Sequence, residues 1–319
     1  MSARSYAVIG TGAVGGFYGA RLAHAGLDVH FLLHGDYEHV RRHGLRVDSV
    51  DGDFTLSHAQ AYAQPDDMPP CDVVVVALKT TQNHLLPQLL PKPAGDRGVV
   101  LMLQNGLGVE DDAAQIVGHD RVMGGLCFLC SNKVGPGHIH HLDYGFVTFA
   151  EHAAEGRAVG ITPRMEAVAG DFRVAEIETR CVEDLVLARW QKLIWNIPFN
   201  GLSVVLDATS AELMADPQTR GLAEALMREV ADGARSCGRE IDGAFIRHML
   251  DLTEKMKPYR TSMKIDCELK RPLEVEAIFG NALRAAVRAG VQMPRVNTLY
   301  KQLKFIDGRN LAAMRSESA

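Results

Sequence analysis

The chain has 319 residues, of which 47% are hydrophobic and 23% are charged, and its formal net charge at pH 7 is −5. This length predicts two domains, and the composition is that of a globular protein. The mild negative charge, without a polybasic block or an apolar run of ~20 residues, argues against nucleic acids and membranes as partners.

In the first part of the chain, short apolar runs alternate with helical stretches. Strands are predicted at residues 6–9, 29–33, 73–77, 99–103 and 122–130, and a helix at 15–25 that ends at Gly26. Two hairpins are predicted beside them, over 45–56 with a turn at Asp51-Gly52 and over 138–150 with a turn near Asp143-Tyr144-Gly145. The alternation predicts a parallel, doubly wound sheet.

The pattern becomes helical near residue 180. Apolar residues recur at helical spacing from Val182, and further helices fit residues 217–237, 243–257, 272–289 and 295–307. We therefore predict an α/β domain over residues 1–180 and an all-α domain over residues 181–319.

A glycine-rich turn joins the first strand to the first helix. Gly10-Thr11-Gly12-Ala13-Val14-Gly15 matches the G-x-G-x-x-G pattern in the context that binds a dinucleotide. Gly10 permits the tight turn, Gly12 lets the backbone approach the pyrophosphate, and Gly15 lets the helix pack against the strand. These six residues predict a cofactor site in a Rossmann-type domain.

The end of the second strand bears on the choice of coenzyme. An Asp or Glu there usually binds the ribose of NAD, but this chain has His34 after the strand and Asp36 two residues later. Asp36 is interpreted as a helix cap, whereas His34 can bind a 2′-phosphate. Lys79 follows the 73–77 strand at the same edge of the sheet. These residues predict NADP(H), with NAD(H) as the alternative.

Three polar residues recur at i, i+4 and i+8 within an apolar helical segment. Lys192, Asn196 and Asn200 therefore share one face, and Pro198 is expected to disturb the helix. Burial lowers the pKa of a lysine, which can then donate a proton as a carbonyl is reduced, while the amides hold a polar substrate. The alternative is a solvated stripe on an amphipathic helix.

With these residues the chain resembles the ketopantoate reductase (2-dehydropantoate 2-reductase) family over nearly its whole length. The matching segments are AVIGTGAVGGFYGARLAHAGLDVHFLLHG, VVVVALKTTQ, LMLQNGLG, WQKLIWNIPFNGLSVVLDATSAEL and TSMKIDCELKRPLEVEAIFGN. The resemblance implies two domains with the active site in the cleft between them, and a monomer or homodimer. The implied reaction is NADPH-dependent reduction of ketopantoate, a 2-keto acid, to pantoate in pantothenate and coenzyme A biosynthesis.

The resemblance also implies roles for six residues. They are Lys192 as general acid, Glu274 as the carboxylate near Lys192 and the nicotinamide ribose, Asn105 as a contact to both cofactor and substrate, Asn196 and Asn200 as substrate-binding amides, and Ser262 as the hydroxyl that receives the substrate carboxylate.

Some positions depart from the family pattern and leave alternatives open. The family usually has Arg at the position of His34, and Tyr259 and Ser210 stand where the enterobacterial form has asparagines. One alternative is therefore a reductase or dehydrogenase of another small 2-keto or hydroxy acid. Another is a non-catalytic dinucleotide-binding sensor, which would need neither Lys192 nor Glu274.

We expect no metal site and a cytoplasmic protein. No signal-peptide pattern precedes the first apolar run, and the six cysteines are scattered. Cys127 and Cys130 have an odd separation within one predicted strand, which directs their side chains to opposite faces. His138, His140 and His141 fall in the second predicted hairpin, where exposed histidines are common.

Overall fold

The computed structural model describes residues 4–256 and 260–317. The chain forms two compact units: the first contains the residues up to Gln104 together with Val109–Leu185, and the second contains Asn105–Gly108 together with the residues from Val186 onward. Within the described residues, no helix is both long enough and apolar enough to cross a membrane.

The first unit is built on one mixed sheet. Its described strands are β1 (Ser5–Ile9), β2 (Asp28–Leu32), β3 (Leu45–Ser49), β4 (Phe54–Leu56), β5 (Gln60–Tyr62), β6 (Val73–Val76), β7 (Val99–Met102), β8 (Val122–Gly135), β9 (His138–Glu151) and β10 (Thr179–Cys181). The order is β4-β3-β9-β8-β7-β6-β1-β2-β5, and β10 pairs with β9.

Six neighbouring strands, from β5 at one edge of the sheet to β8, form its doubly wound part. They pair in parallel in the order β5-β2-β1-β6-β7-β8, so the direction of strand succession reverses between β1 and β6. Ile9 at the end of β1 aligns with Leu32 of β2 and Val76 of β6. The carboxyl ends of these strands therefore share one edge, and ligands bind in such folds at the reversal point. The predicted Rossmann-type fold is confirmed.

Apolar residues of the parallel strands pack on both faces of the sheet. Tyr6 and Val8 belong to the core on one face, and Ala7 and Ile9 to the core on the other. Helices cover the sheet, as parallel sheets require. They are α1 (Ala13–His24), α2 (Tyr37–His43), α3 (Leu86–Leu89), α4 (Pro91–Ala94), α5 (Glu110–Val117) and α6 (Pro163–Val174).

The long strands β8 and β9 correct one of the two hairpin predictions. They pair antiparallel, and the chain reverses at Pro136-Gly137, where Gly137 has φ +60°. Tyr144 (φ 59°) and Gly145 (φ 136°) lie inside β9 next to a shift of register, so these turn-type residues form an irregularity rather than a hairpin turn. The predicted 138–150 hairpin is therefore wrong, whereas the 45–56 hairpin is confirmed by the antiparallel pair β3–β4.

Helices are the only regular secondary structure among the described residues of the second unit. Its helices are α7 (Leu185–Val205, beginning at the last residue of the first unit), α8 (Ser210–Ala215), α9 (Pro217–Ser236), α10 (Gly243–Lys255), α11 (Ser262–Glu268), a π-helical segment (Glu276–Gly280), α12 (Asn281–Arg288) and α13 (Pro294–Glu317). The helix expected over 272–289 instead consists of the π-helical segment and α12. Helix α7 extends through Pro198, and the disturbance expected at this residue stays a prediction.

A buried carboxylate joins α9 to the start of α13. Glu229 is 8% exposed and accepts hydrogen bonds from the backbone N–H groups of Arg295 (3.1 Å) and Val296 (3.0 Å). The Arg295 guanidinium donates a third bond at 3.0 Å. Since the first N–H groups of a helix have no partner within it, Glu229 satisfies two donors that would otherwise be buried.

We predict that Glu229→Ala lowers the free energy of unfolding by about 2–3 kcal/mol, because it leaves these donors without an acceptor. Glu224→Ala on the same helix removes only an exposed pair with Arg228 and should cost less than about 0.5 kcal/mol. Denaturant unfolding of both variants measures the difference, and equal losses would contradict the capping role of Glu229.

Candidate functional site

The glycine turn lies at the reversal point of the sheet. Gly10 has φ +94°, and a Cβ there would lie 2.5 Å from the backbone nitrogen of Leu78, which follows β6. Within the turn, the Gly12 N–H donates to Gly10 O (2.8 Å) and the Gly16 N–H donates to Gly12 O (2.8 Å). The turn therefore needs glycine at position 10 both for its backbone conformation and for its close approach to the next strand.

The turn has the space and the polarity that a pyrophosphate needs. A Cβ at Gly12 would meet no atom within 4 Å, whereas one at Gly15 would lie 2.3 Å from Gly10 O and 3.1 Å from Val8 Cγ1. Helix α1 begins directly after Gly12 with neither a side-chain cap nor an acidic residue in its first turn. Its N-terminal N–H groups and its dipole can therefore face an anion.

His34 lies just beyond the end of β2, the strand that neighbours this turn. The Thr11 hydroxyl donates to Leu32 O at 3.0 Å, which joins the glycine turn to the end of β2. His34 comes two residues after Leu32 and is exposed. The structure thus places an accessible imidazole at the position where ribose recognition occurs in this fold.

The structure corrects the interpretation of Asp36. Asp36 is the N-cap residue of α2, but its side chain makes no capping bond. Its Oδ2 instead accepts from the Gly137 N–H at 2.8 Å and pairs with Lys133 Nζ at 2.6 Å. This carboxylate therefore binds the tip of the β8–β9 hairpin and does not point its hydrogen bonds toward the end of β2.

The ends of β6 and β7 are joined by a side chain that the sequence analysis missed. Gln104 is 3% exposed, and its amide donates to Leu78 O (2.8 Å) and to Asn83 Oδ1 (2.6 Å). Lys79, next to Leu78, is exposed. The position of Gln104 immediately before Asn105 was the only sequence signal for it. Through this amide, the loop that carries Lys79 is held at the same edge as the glycine turn.

The polar face of α7 is buried. Lys192 is 9% exposed, Asn196 5% and Asn200 2%. Asn196 Nδ2 and Asn200 Oδ1 have no hydrogen-bond partner among the described residues. The alternative of a solvated stripe is therefore wrong, and buried amide atoms of this kind call for a ligand that supplies the missing partners.

Ser262 lies at the start of α11, and the N-cap of this helix is hydrogen-bonded to α7. Ser203 Oγ donates to Asn200 O at 3.2 Å and forms a hydrogen bond with Thr261 Oγ1 at 2.8 Å. Thr261 is the N-cap of α11, and Ser262 is its first residue and is partly exposed. These bonds bring the backbone that carries Ser262 close to the turn of α7 that carries Asn200.

Asn105 belongs to the second unit because its loop packs on the π-helical segment. The Leu107 N–H donates to Ala277 O (3.0 Å), and Asn281 Nδ2 donates to Leu107 O (2.6 Å). Glu274 is 3% exposed and lies two residues before this segment. The structure thus brings the Asn105 loop to the stretch that follows Glu274, and π-helical turns are frequent at functional sites.

Two of the histidines in the region predicted as the second hairpin contact side chains of β3. His138 Nε2 pairs with Asp48 Oδ2 at 2.7 Å, and His141 Nδ1 forms a hydrogen bond with Ser49 Oγ at 2.8 Å. Both contacts join β9 to β3, which gives these two histidines a structural role.

Comparison with known proteins points to one family. Residues 6–154 match the family model of ketopantoate reductase PanE/ApbA, and residues 184–307 match the model of its C-terminal part. A 2-dehydropantoate 2-reductase of Nostoc sp. is 61% identical over 310 residues, which cover 97% of each chain. A second one, of Archaeoglobus fulgidus, is 26% identical over 96% of this chain and 99% of that one.

Solved structures show the same fold. The crystal structure of 2-dehydropantoate 2-reductase from Geobacter metallireducens superposes with a TM-score of 0.90 at 42% identity, covering 94% of this chain and 99% of that one. D-mandelate dehydrogenase with NADH and anilino(oxo)acetate shares the fold, with a TM-score of 0.86 at 20% identity and coverage of 96% and 99%.

The doubly wound sheet and its glycine turn define a dinucleotide-binding oxidoreductase. More narrowly, the chain belongs to the ketopantoate reductase family, whose members use a nicotinamide dinucleotide.

Two glycine substitutions should separate cofactor binding from folding. Gly12→Ala should leave thermal stability unchanged, since its Cβ has open space, but it should raise the Kd of the dinucleotide at least ~10-fold by filling the position of the pyrophosphate. Gly15→Ala should lower the thermal midpoint, because its Cβ would overlap Gly10 O. Thermal unfolding and fluorescence titration measure the two effects, and tight dinucleotide binding by Gly12→Ala would contradict this assignment of the turn.

Proposed function

We propose that this chain is a 2-dehydropantoate 2-reductase that reduces ketopantoate to pantoate with NADPH, a step in pantothenate and coenzyme A biosynthesis. The high identity with the Nostoc enzyme over nearly the whole chain supports the activity. The observation that carries the proposal is the buried polar face of α7, which Lys192 shares with two amides. One polar atom of each amide has no hydrogen-bond partner among the described residues.

Lys192 is the proposed general acid. Bound NADPH would supply the hydride, and the carbonyl oxygen of the substrate then needs a proton. A buried ammonium stabilises the developing alkoxide more strongly than one in water does, and it can then protonate the alkoxide. Glu274, which is also buried, is proposed to hold the Lys192 ammonium and the nicotinamide ribose.

The substrate is proposed to bind through amides and one hydroxyl. Asn196 Nδ2 can donate to a substrate oxygen, and Asn200 Oδ1 can accept from a substrate hydroxyl. Ser262, at the start of α11, would receive the carboxylate, and Asn105 would contact both substrate and cofactor. Tyr259, which departs from the family pattern, lies outside the described residues.

NADPH is the proposed coenzyme because the end of β2 suits a phosphate. His34 is exposed there, Lys79 is exposed at the end of β6, and the Asp36 carboxylate is engaged with the β8–β9 hairpin. The nearby Arg41 and Arg42 both pair with Glu38 on the surface of α2. His34 and Lys79 are therefore the proposed contacts to the 2′-phosphate.

We predict that Lys192→Ala lowers kcat/KM for ketopantoate by about 10²- to 10⁴-fold, because the proton donor is removed. Lys192→Met keeps the aliphatic stem in place and should show a similar loss. Lys301→Ala, at an exposed position of α13, is the control and should retain full activity. The oxidation of NADPH, followed by absorbance, measures all four proteins.

Absence of turnover by the wild-type protein, or an undiminished rate in Lys192→Ala, would exclude the proposal. A panel of 2-keto acids belongs to the same experiment. Another acid preferred by orders of magnitude in kcat/KM would keep the reductase chemistry and change the substrate.

The coenzyme assignment has its own prediction. His34→Ala should lower kcat/KM for NADPH about tenfold, the loss expected for one hydrogen bond to a charged group, and should leave the value for NADH unchanged. His39→Ala, an exposed histidine of α2, is the matched control. If the wild-type protein uses NADH as well as NADPH or better, the assignment to His34 and Lys79 is wrong.

A further inference from the structure

The described residues contain one cluster of three metal-binding side chains, and it lies outside the proposed active site. Asp111 is in the first turn of α5, His119 is in the 3₁₀ turn His119–Arg121 that follows α5, and His152 comes directly after β9. One ligand atom of each side chain lies within 4.8 Å of the other two. All three residues belong to the first unit.

The distances within this cluster are close to those of a metal centre. His119 Nδ1 and His152 Nε2 form a hydrogen bond at 2.9 Å, with their rings stacked, and His152 Nε2 lies 3.6 Å from Asp111 Oδ1. Two imidazole nitrogens on a tetrahedral zinc lie about 3.3 Å apart, given Zn–N distances of about 2.0–2.1 Å. The nitrogens are therefore within a few tenths of an ångström of this separation, and one ion can take the place of the proton that they share once the rings turn toward it.

The backbone that carries these side chains is held by regular hydrogen bonds. The His152 N–H donates to Val122 O at 3.2 Å, and the Gly118 N–H at the end of α5 donates to Ala114 O at 2.9 Å. Arg164 donates to Asp120 O at 2.5 Å and also pairs with Glu151. Because the neighbours of His119 and His152 are fixed in this way, little ordering would be needed on binding an ion.

Charge and access also favour a cation. Glu110 and Asp112 flank Asp111, so the first turn of α5 carries three carboxylates. A helix dipole accounts for acidic residues at this place, but it does not account for a pair of histidines that meets beside Asp111. The Asp111 side chain is 60% exposed and that of His152 only 8%. An ion would therefore enter from solvent on the side of Asp111 and bind to an imidazole that is largely buried.

We propose that Asp111, His119 and His152 bind a divalent transition-metal ion, with Zn²⁺ as the first candidate. Two imidazole nitrogens and one carboxylate oxygen form a ligand set that suits zinc, and water would complete the coordination. The ion would connect α5 and the turn after it to the end of β9. This role is separate from the proposed reductase reaction.

The test uses the untagged full-length protein after treatment with EDTA and dialysis. Calorimetric titration with ZnCl₂ should show one ion per chain, and zinc should raise the thermal midpoint by a few degrees. His119→Gln and His152→Gln should each raise the Kd for zinc at least ~10-fold, and so should Asp111→Asn, which changes an exposed side chain. His140→Gln, an exposed histidine of β9, is the control and should bind zinc as the wild-type protein does.

Substitution with Co²⁺ identifies the ligands independently. Its visible spectrum should show nitrogen and oxygen ligands without a thiolate charge-transfer band, and the signal should be lost in His152→Gln. Circular dichroism of the metal-free variants establishes that they are folded. The proposal is overturned if the wild-type protein binds no stoichiometric zinc, if folded His119→Gln and His152→Gln bind it equally well, or if the cobalt spectrum shows cysteine ligands.

Discussion

Helix α1 packs so closely that a Cβ at three of its glycines would come within 3 Å of a neighbouring atom. A Cβ at Gly15 would lie 2.3 Å from the carbonyl oxygen of Gly10, one at Gly16 would lie 2.8 Å from Ile139 of β9, and one at Gly19 would lie 2.9 Å from Val8 of β1. Because α1 begins at the dinucleotide turn, its distance from the sheet determines where its first N–H groups point. The cofactor site therefore depends on a packing constraint that continues two turns into the helix.

This packing requires glycines at fixed positions of the sequence, and such local patterns made most of the first unit predictable. The glycine pattern is local in sequence, and the short apolar runs on either side of it are typical of buried strands. The β8–β9 region was harder, because it contains two turn signals, Pro136-Gly137 and Tyr144-Gly145. Which signal reverses the chain is decided by pairing over the whole length of two 14-residue strands. Such distant contacts are not visible in a local pattern.

Helix α6 is one of several short helices that were not predicted, although its local signals are present. Thr162 caps α6 by accepting from the Met165 N–H at 3.1 Å, and Pro163 occupies the first helical position. A threonine followed by proline is a start signal of ordinary strength, and Glu166 adds an acidic residue in the first turn. The lesson from α6 is that capping residues can locate a helix whose apolar face is weakly marked.

In the candidate site, too, some features follow from local sequence patterns and others only from contacts between distant residues. Helical spacing predicted that Lys192, Asn196 and Asn200 share a face, but only packing shows that the face is buried. The placement of Asn105 depends on the bond from Leu107 to Ala277, residues 170 positions apart in sequence (277 − 107). The sequence therefore indicated the chemistry of these side chains, whereas their surroundings come from contacts that no spacing encodes.

The buried amides of α7 bear on specificity as well as on binding. Each unsatisfied buried polar atom costs about 1–3 kcal/mol in the unliganded protein, and a ligand that supplies the missing bond recovers this free energy. Asn196 offers a donor and Asn200 an acceptor, so a ligand with complementary groups at both positions is favoured over one that matches neither. Sites of this kind discriminate strongly against analogues that lack a hydrogen-bonding group, whereas apolar pockets discriminate weakly. A keto acid that also carries a hydroxyl meets both requirements, and this favours a hydroxylated substrate such as ketopantoate over a purely aliphatic keto acid.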